Sequence, residues 1–123
     1  MNVLLVEPDK ILAGIYQQAL VGAGHSVVWK QSAESAVHSA DSQTPDVVVL
    51  ELQLAEHSGV EFLYEFRSYA EWLEVPVVVL SRVAERALSG TQQLQLGVVA
   101  YLYKPRTTLQ NLLRTVNQLR KPA

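Results

Sequence analysis

The chain has 123 residues, 49% hydrophobic and 18% charged, with a formal net charge of −2. That length is one domain with room for a core, and the composition describes an ordered globular chain, which excludes a disordered one. There is no cysteine, which excludes disulfides, thiolate metal sites and cysteine nucleophiles.

The first apolar run, "VLLV" (3–6), ends in Glu7 and Pro8. It is continuous, not alternating, the pattern of a parallel strand buried on both faces. Ile11, Leu12, Ile15, Tyr16, Ala19 and Leu20 then form one apolar stripe. They predict a helix over about 10–23, closed by "GAGH". "VVW" (27–29) is shorter and ends in polar residues, which places it at a sheet edge. Ser32 caps a short helix over 32–40 that carries Ala33, Ala36, Val37 and Ala40. "VVVL" (47–50) runs straight into Glu51. Ser58 caps a helix over 58–69, with Glu61 at the capping-box position and Val60, Phe62, Leu63 and Phe66 behind it. A second "VVVL" (77–80) is followed by Ser81 and Arg82. The next helix, over 84–96, is loosened by Ser89 and Gly90 and ended by Gly97. "AYLY" (100–103) leads into Lys104 and Pro105, and a proline there can hold a cis bond that fixes where the ammonium points. Thr107 or Thr108 opens the last helix, over 107–120, with Leu109, Leu112, Leu113, Val116 and Leu119 well spaced along it.

The order is (βα)₅, with connections too short for a second domain. Right-handed crossovers place helices on both faces of a parallel sheet, an α/β doubly wound arrangement that binds ligands at the carboxyl ends of its strands. Glu7, Glu51, Ser81 and Lys104 each follow a run directly, so all four should meet at one edge. Two carboxylates at the tips of buried strands point to a metal or phosphoryl site.

Other features carry less. "GAG" at 22–24 follows a helix, not a strand, so it is a helix stop and not a dinucleotide loop. No P-loop is present. His25, His38 and His57 are too dispersed for a ligand set and are expected to be solvent-exposed. Trp29, Trp72 and Tyr69 are expected to fill gaps between helices and sheet. No apolar stretch approaches the roughly 18 residues of a membrane span, and "MNVLLVEPDK" lacks a basic start and a cleavage site, so the expected compartment is the cytoplasm. Charge is uneven: residues 1–81 hold three bases against eleven acids, and residues 82–123 hold seven bases against Glu85 alone. Such a bipolar chain offers its C-terminal third, with Arg86, Arg106, Arg114, Arg120 and Lys121, to an acidic partner. Few aromatic residues interleave with these charges, so nucleic acid is not the expected partner.

An acid after "VLLV", an acid after "VVVL" with a glycine eight residues on, a hydroxyl after the second "VVVL", and "YLYKP" together resemble the receiver domain of two-component response regulators. The resemblance covers essentially the whole length. It implies one domain over 1–123 with a five-stranded, flavodoxin-like strand order 2-1-3-4-5, phosphorelay signalling, and no enzymatic activity of its own. In that family the first acids bind Mg²⁺, the acid after the third strand accepts phosphate, and a hydroxyl and a lysine hold the phosphoryl oxygens. An aromatic residue before the lysine turns inward on activation. Carried over, Glu51 takes the phosphoacceptor position and Glu7 the first metal position, with Asp9 beside it. Ser81 is the hydroxyl, Lys104 the phosphate-binding lysine and Tyr101 the switch aromatic.

The departures from the family pattern matter more. Glu51 stands where the family has Asp, Pro8 stands where it has a second metal acid, and Asp9 comes one place late. Ala55, Arg82 and Arg106 also depart, from a proline, a small residue and an apolar or aromatic residue respectively. Mg²⁺ demands near-octahedral oxygens at about 2.0–2.1 Å, and proline supplies none. One extra methylene moves the nucleophile by about 1 Å, a displacement that can lower phosphoryl transfer roughly 10²-fold. The longer carboxylate can instead reach Lys104 and Ser81 unaided, so a Lys104–Glu51 ion pair is expected. The expected molecule is an atypical receiver, phosphorylation-independent, with no cofactor beyond weak Mg²⁺. Its partner is a histidine kinase or effector protein, or a second copy through the fourth helix, fifth strand and fifth helix. Two further readings stay open: a receiver that still accepts phosphate weakly with Mg²⁺, and a small α/β enzyme using Glu7 and Glu51 as acid and base. Against the second stands the lack of any lid-sized insertion in the short loops.

Overall fold

Every apolar run becomes a strand, and all five strands run parallel. The computed structural model describes residues 1–120, and Lys121 lies outside them. β1 (Asn2–Val6), β2 (Ser26–Lys30), β3 (Val47–Leu50), β4 (Val77–Ser81) and β5 (Val98–Tyr103) form one sheet in the order β2-β1-β3-β4-β5. β1 is central to the register, with Val3 opposite both Val27 and Val47. Between the strands lie α1 (Lys10–Gly22), α2 (Ala33–Ser42), α3 (Gly59–Arg67) and α4 (Gly90–Gln95), and α5 (Leu109–Asn117) follows β5.

Alternation along each buried strand sorts its side chains into two cores. Leu4, Val6, Val48, Leu50, Val77 and Val79 face the layer of α2, α3 and α4, against Ala36, Phe62 and Phe66. Val3, Leu5, Val47, Val49, Val78 and Leu80 face α1 and α5, against Ala13, Leu20, Leu112 and Val116. Both faces must be covered, so the strands read as unbroken apolar runs.

Several expectations need correction. The buried stripe of α1 is Ala13, Tyr16 and Leu20, and Ile11 and Ile15 are 77% and 42% exposed. Spacing sets a stripe, but contact with the sheet chooses which stripe turns inward. The helix expected over 84–96 is two pieces, a 3₁₀ turn at Glu85–Ala87 and then α4. Extended Leu88 separates them, because Ser89 and Gln92 form a reciprocal capping box that starts a new helix at Gly90. Arg86 therefore sits on a turn, not on the fourth helix. α5 opens on Thr108, whose side chain accepts from the Asn111 amide, and ends at Asn117, not residue 120. His25 is buried, because both ring nitrogens have partners: Nδ1 lies 3.2 Å from the Met1 amine and Nε2 lies 2.7 Å from Asn117 Oδ1. Trp72 is buried and stacks on Phe66, but Tyr69 at its outer side is exposed. No cis peptide occurs among the described residues. A 3₁₀ turn over Lys104–Arg106, with its proline in the first turn, sets the direction of the lysine instead.

Candidate functional site

Three parallel neighbours, β1, β3 and β4, release Glu7, Glu51 and Ser81 at the same edge, and β5 delivers Lys104. Glu7 and Glu51 are each 1% exposed and Ser81 is fully buried. The backbone keeps them there. Glu7 N–H donates to Lys30 O, Glu51 N–H donates to Val6 O, and Trp29 Nε1 donates to Glu7 O. Gly59 is also required. A Cβ at that position would lie 2.5 Å from Leu52 Cα and 2.9 Å from Glu51 O, so only glycine lets α3 start this close to the end of β3.

The ammonium of Lys104 donates to Glu7 Oε1 at 2.6 Å and to Glu51 Oε1 at 2.7 Å. Both oxygens of Glu51 are occupied further: Oε1 accepts from the Arg82 amide at 3.1 Å, and Oε2 accepts from the Gln53 amide at 3.0 Å and from the Ser81 hydroxyl. Glu7 Oε2 accepts from the Asp9 amide at 3.0 Å. The Arg82 guanidinium, mostly exposed, lies 3.9 Å from Glu51 Oε1. Two buried carboxylates are thus balanced by one ammonium inside and one guanidinium at the rim. Among the described residues, no buried side-chain nitrogen or oxygen lacks a partner. Glu7 and Glu51 therefore share the same ammonium and are nearly closed to solvent.

Asp9 is elsewhere. Its carboxylate caps α1, accepting from the Ile11 and Leu12 amides at 2.9 and 3.0 Å, so only its backbone serves the cluster. Among the described residues no group of three His, Asp or Glu side chains converges as a metal-ligand set. Tyr101 turns inward and is half-buried, its hydroxyl donating to Val83 O at 2.6 Å and Ala84 O at 3.0 Å. Val83 N–H in turn donates to Ser81 Oγ at 3.0 Å. A hydrogen-bonded path therefore links Glu51 to Tyr101 through Ser81 and Val83.

Burial alone pushes the Glu51 carboxyl up, but bonds from Lys104, Ser81 and the two amides outweigh it and hold the group below its ordinary value of 4.5. Burial pushes Lys104 down, and its bonds to Glu51 and Glu7 outweigh that, holding it above 10.5. Glu51 thus stabilises the fold fully above the ordinary carboxylate value, and that contribution is lost as pH falls through the lower folded value. Lys104 stabilises it fully below the ordinary lysine value, and that contribution is lost as pH rises through the higher folded value. Urea midpoints across pH should show both limbs, and Lys104→Met should remove the alkaline one.

The arginines expected on one partner surface have these positions. Arg86 and Arg106 are exposed on the turns after β4 and β5, and Arg114 is exposed on α5. Arg120 donates to Ala23 O at 2.9 Å, by the turn that precedes β2. Sequence reasoning placed Glu51 opposite Lys104 but missed that Glu7 shares the ammonium. The signal was there, since β1 lies beside β3 and both end in Glu.

A protein-family model for the response regulator receiver domain matches residues 3–117. The chain is 33% identical over 104 residues to the KDP operon transcriptional regulatory protein KdpE of Escherichia coli (strain K12), covering 85% of this chain and 44% of KdpE. It is 31% identical over 121 residues to the probable transcriptional regulatory protein TcrX of Mycobacterium tuberculosis, covering 98% of this chain and 50% of TcrX. The chain therefore spans half or less of these curated relatives. Chemotaxis protein CheY4 of Vibrio cholerae shares the fold, with a TM-score of 0.86 at 20% identity over 97% of this chain and 98% of that one. The Mn²⁺-bound form of response regulator Rcp1 aligns with a TM-score of 0.75 at 26% identity over 96% and 90%. Strand order and sequence agree, and the chain belongs to the response regulator receiver domain family of two-component systems.

Proposed function

We propose that this receiver works without phosphorylation, as a protein-interaction switch in two-component signalling, with Glu51 as a permanent charge at the phosphoacceptor position. The observation that carries this reading is the saturation of Glu51, whose two oxygens accept from Lys104, Ser81, Gln53 and Arg82. A carboxylate so engaged is a poor nucleophile, and its position imitates part of a phosphoryl group held by the same serine and lysine. Tyr101, bonded inward to Val83 O, fits a switch resting in one position.

The residues present do not fit Mg²⁺. Pro8 offers no ligand, Asp9 caps α1, and Glu7 and Glu51 already neutralise Lys104, so no step is assigned to the metal. The partner in this reading is a histidine kinase, an effector or a second copy meeting α4, β5 and α5. That side carries exposed Leu94 (84%) and Val99 (54%). The proposed setting is the cytoplasm.

Incubation with acetyl phosphate and Mg²⁺, followed by intact mass, should leave the chain unmodified, and calorimetric titration with Mg²⁺ should show no saturable binding. A stable gain of one phosphoryl group that disappears in Glu51→Gln would establish the weakly phosphorylatable receiver in its place.

A further inference from the structure

α2 and α3 do not close against each other along their outer sides. Between them runs a groove of about 560 Å³ whose accessible apolar surface is Val37 and, at one end, the exposed ring of Tyr69, with Phe62 and Trp72 packed beneath. Its rim carries Glu34, Asp41, Glu61 and Glu65, and no lysine or arginine lines it among the described residues. A second hollow of about 350 Å³ continues it past the N-terminus of α2, sharing Ala33, Glu34 and His57 and adding Glu56. An apolar floor with an acidic rim suits a protruding segment that offers guanidinium groups, whose planar faces also stack on tyrosine.

Such segments exist on this chain. Arg82, Arg86 and Arg106 are exposed on the stretches that leave β4 and β5, with Glu85 the one acid among residues 82–106. The two features lie toward opposite edges of the sheet. α2 packs on β1 and β2, whereas the arginines follow β4 and β5 at the other side. Four strand spacings, roughly 19 Å, separate the outer strands. No arginine of the same copy lines the groove among the described residues.

We infer that the α2–α3 groove receives the basic β4–α4 and β5–α5 turns of a second copy of this chain. The inference rests on reading the domain as an interaction module. The contact is heterologous, since different patches meet, so repetition builds an open head-to-tail chain instead of a closed dimer. Charge complementarity supplies register and association rate, and salt screens it beyond about 8 Å.

Sedimentation velocity on the full chain should show mass growing with concentration at low salt and falling to monomer at high salt. Glu34→Lys with Glu65→Lys disables the groove, and Arg86→Glu with Arg106→Glu disables the turns. Each double variant alone should raise the concentration for half-association by at least about tenfold, equivalent to about 1.4 kcal/mol. An equimolar mixture should resume growth with the two variants alternating, because intact turns meet the intact groove and reversed turns meet the reversed groove. All four reversals in one chain should restore association. Glu34→Gln with Glu65→Gln gives the same test without added repulsion, and matching thermal melts establish that each variant is folded. A monomeric wild type, association that stops at a dimer, or a mixture that does not combine would overturn the inference. So would a groove that takes an arginine-rich peptide but not a second copy. Phosphoryl acceptance reads Glu51 and not the groove, so failure here is distinct from failure of the proposed function.

Discussion

Lys104→Met is expected to lower the unfolding free energy by about 3–5 kcal/mol, the usual effect of stranding a buried charge by removing its partner. The side chain is close in length, so little packing is lost. What remains is Glu7 and Glu51, both buried, formerly bonded to a single ammonium at 2.6 and 2.7 Å. Among the described residues, the positive charge then left beside Glu51 is the mostly exposed Arg82 guanidinium. For a domain of this size the melting temperature should fall by more than about 10 °C. The variant should regain stability as pH drops and the stranded carboxylates bind protons, opposite in sign to the wild type's acid limb. Adding Glu7→Gln and Glu51→Gln should recover most of the loss, because the remaining groups then carry no charge. A Lys104→Met chain that melts with the wild type would show that the cluster contributes no net stability.

Arg67→Met should cost about 3 kcal/mol or more, from hydrogen bonds whose donor is charged and whose acceptors are backbone carbonyls. The guanidinium leaves the end of α3 and donates to Trp72 O and Val75 O at 2.5 Å, to Leu96 O at 2.8 Å and to Gly97 O at 3.4 Å. It thus joins the segment before β4 to the turn before β5. Arg67→Lys should recover little, because one ammonium cannot reach four carbonyls spread across two turns. Urea unfolding should show the loss as a lower midpoint with an unchanged slope. Amide exchange at Val77, whose N–H donates to Gly97 O at 3.1 Å, should accelerate beyond what the global loss explains. Equal stability of the methionine variant would refute the role.

The strands were legible because burial on both faces leaves a sequence no choice but continuous apolar runs, and "VLLV" and both "VVVL" runs are such runs. The Lys104–Glu51 pair was legible for a related reason, since charges at strand tips must find each other or water. Where several faces compete, reading failed. α1 carries enough apolar residues for two stripes, and only contact with the sheet leaves Ile11 outside. The break before α4 was written as Ser89 and Gln92, but apolar spacing across residues 84–96 concealed it. His25 looked free because its partners lie 24 and 92 residues away. Arg67 was unreadable in principle, because its partners are carbonyl oxygens that every residue type possesses.

The capping of α1 by Asp9 ties any new carboxylate in this pocket to the stability of the helix. Glu51→Asp is one substitution, yet by itself it only withdraws a carboxylate from Lys104. Redirecting Asp9 toward the strand ends would uncap α1, at about 0.5–2 kcal/mol. A carboxylate at position 8 leaves the cap intact, but it adds a third acid around one ammonium. Each step is unfavourable by itself, and both act through Lys104. Giving this pocket a second free carboxylate therefore takes at least two substitutions, each of which disturbs the charge balance around Lys104.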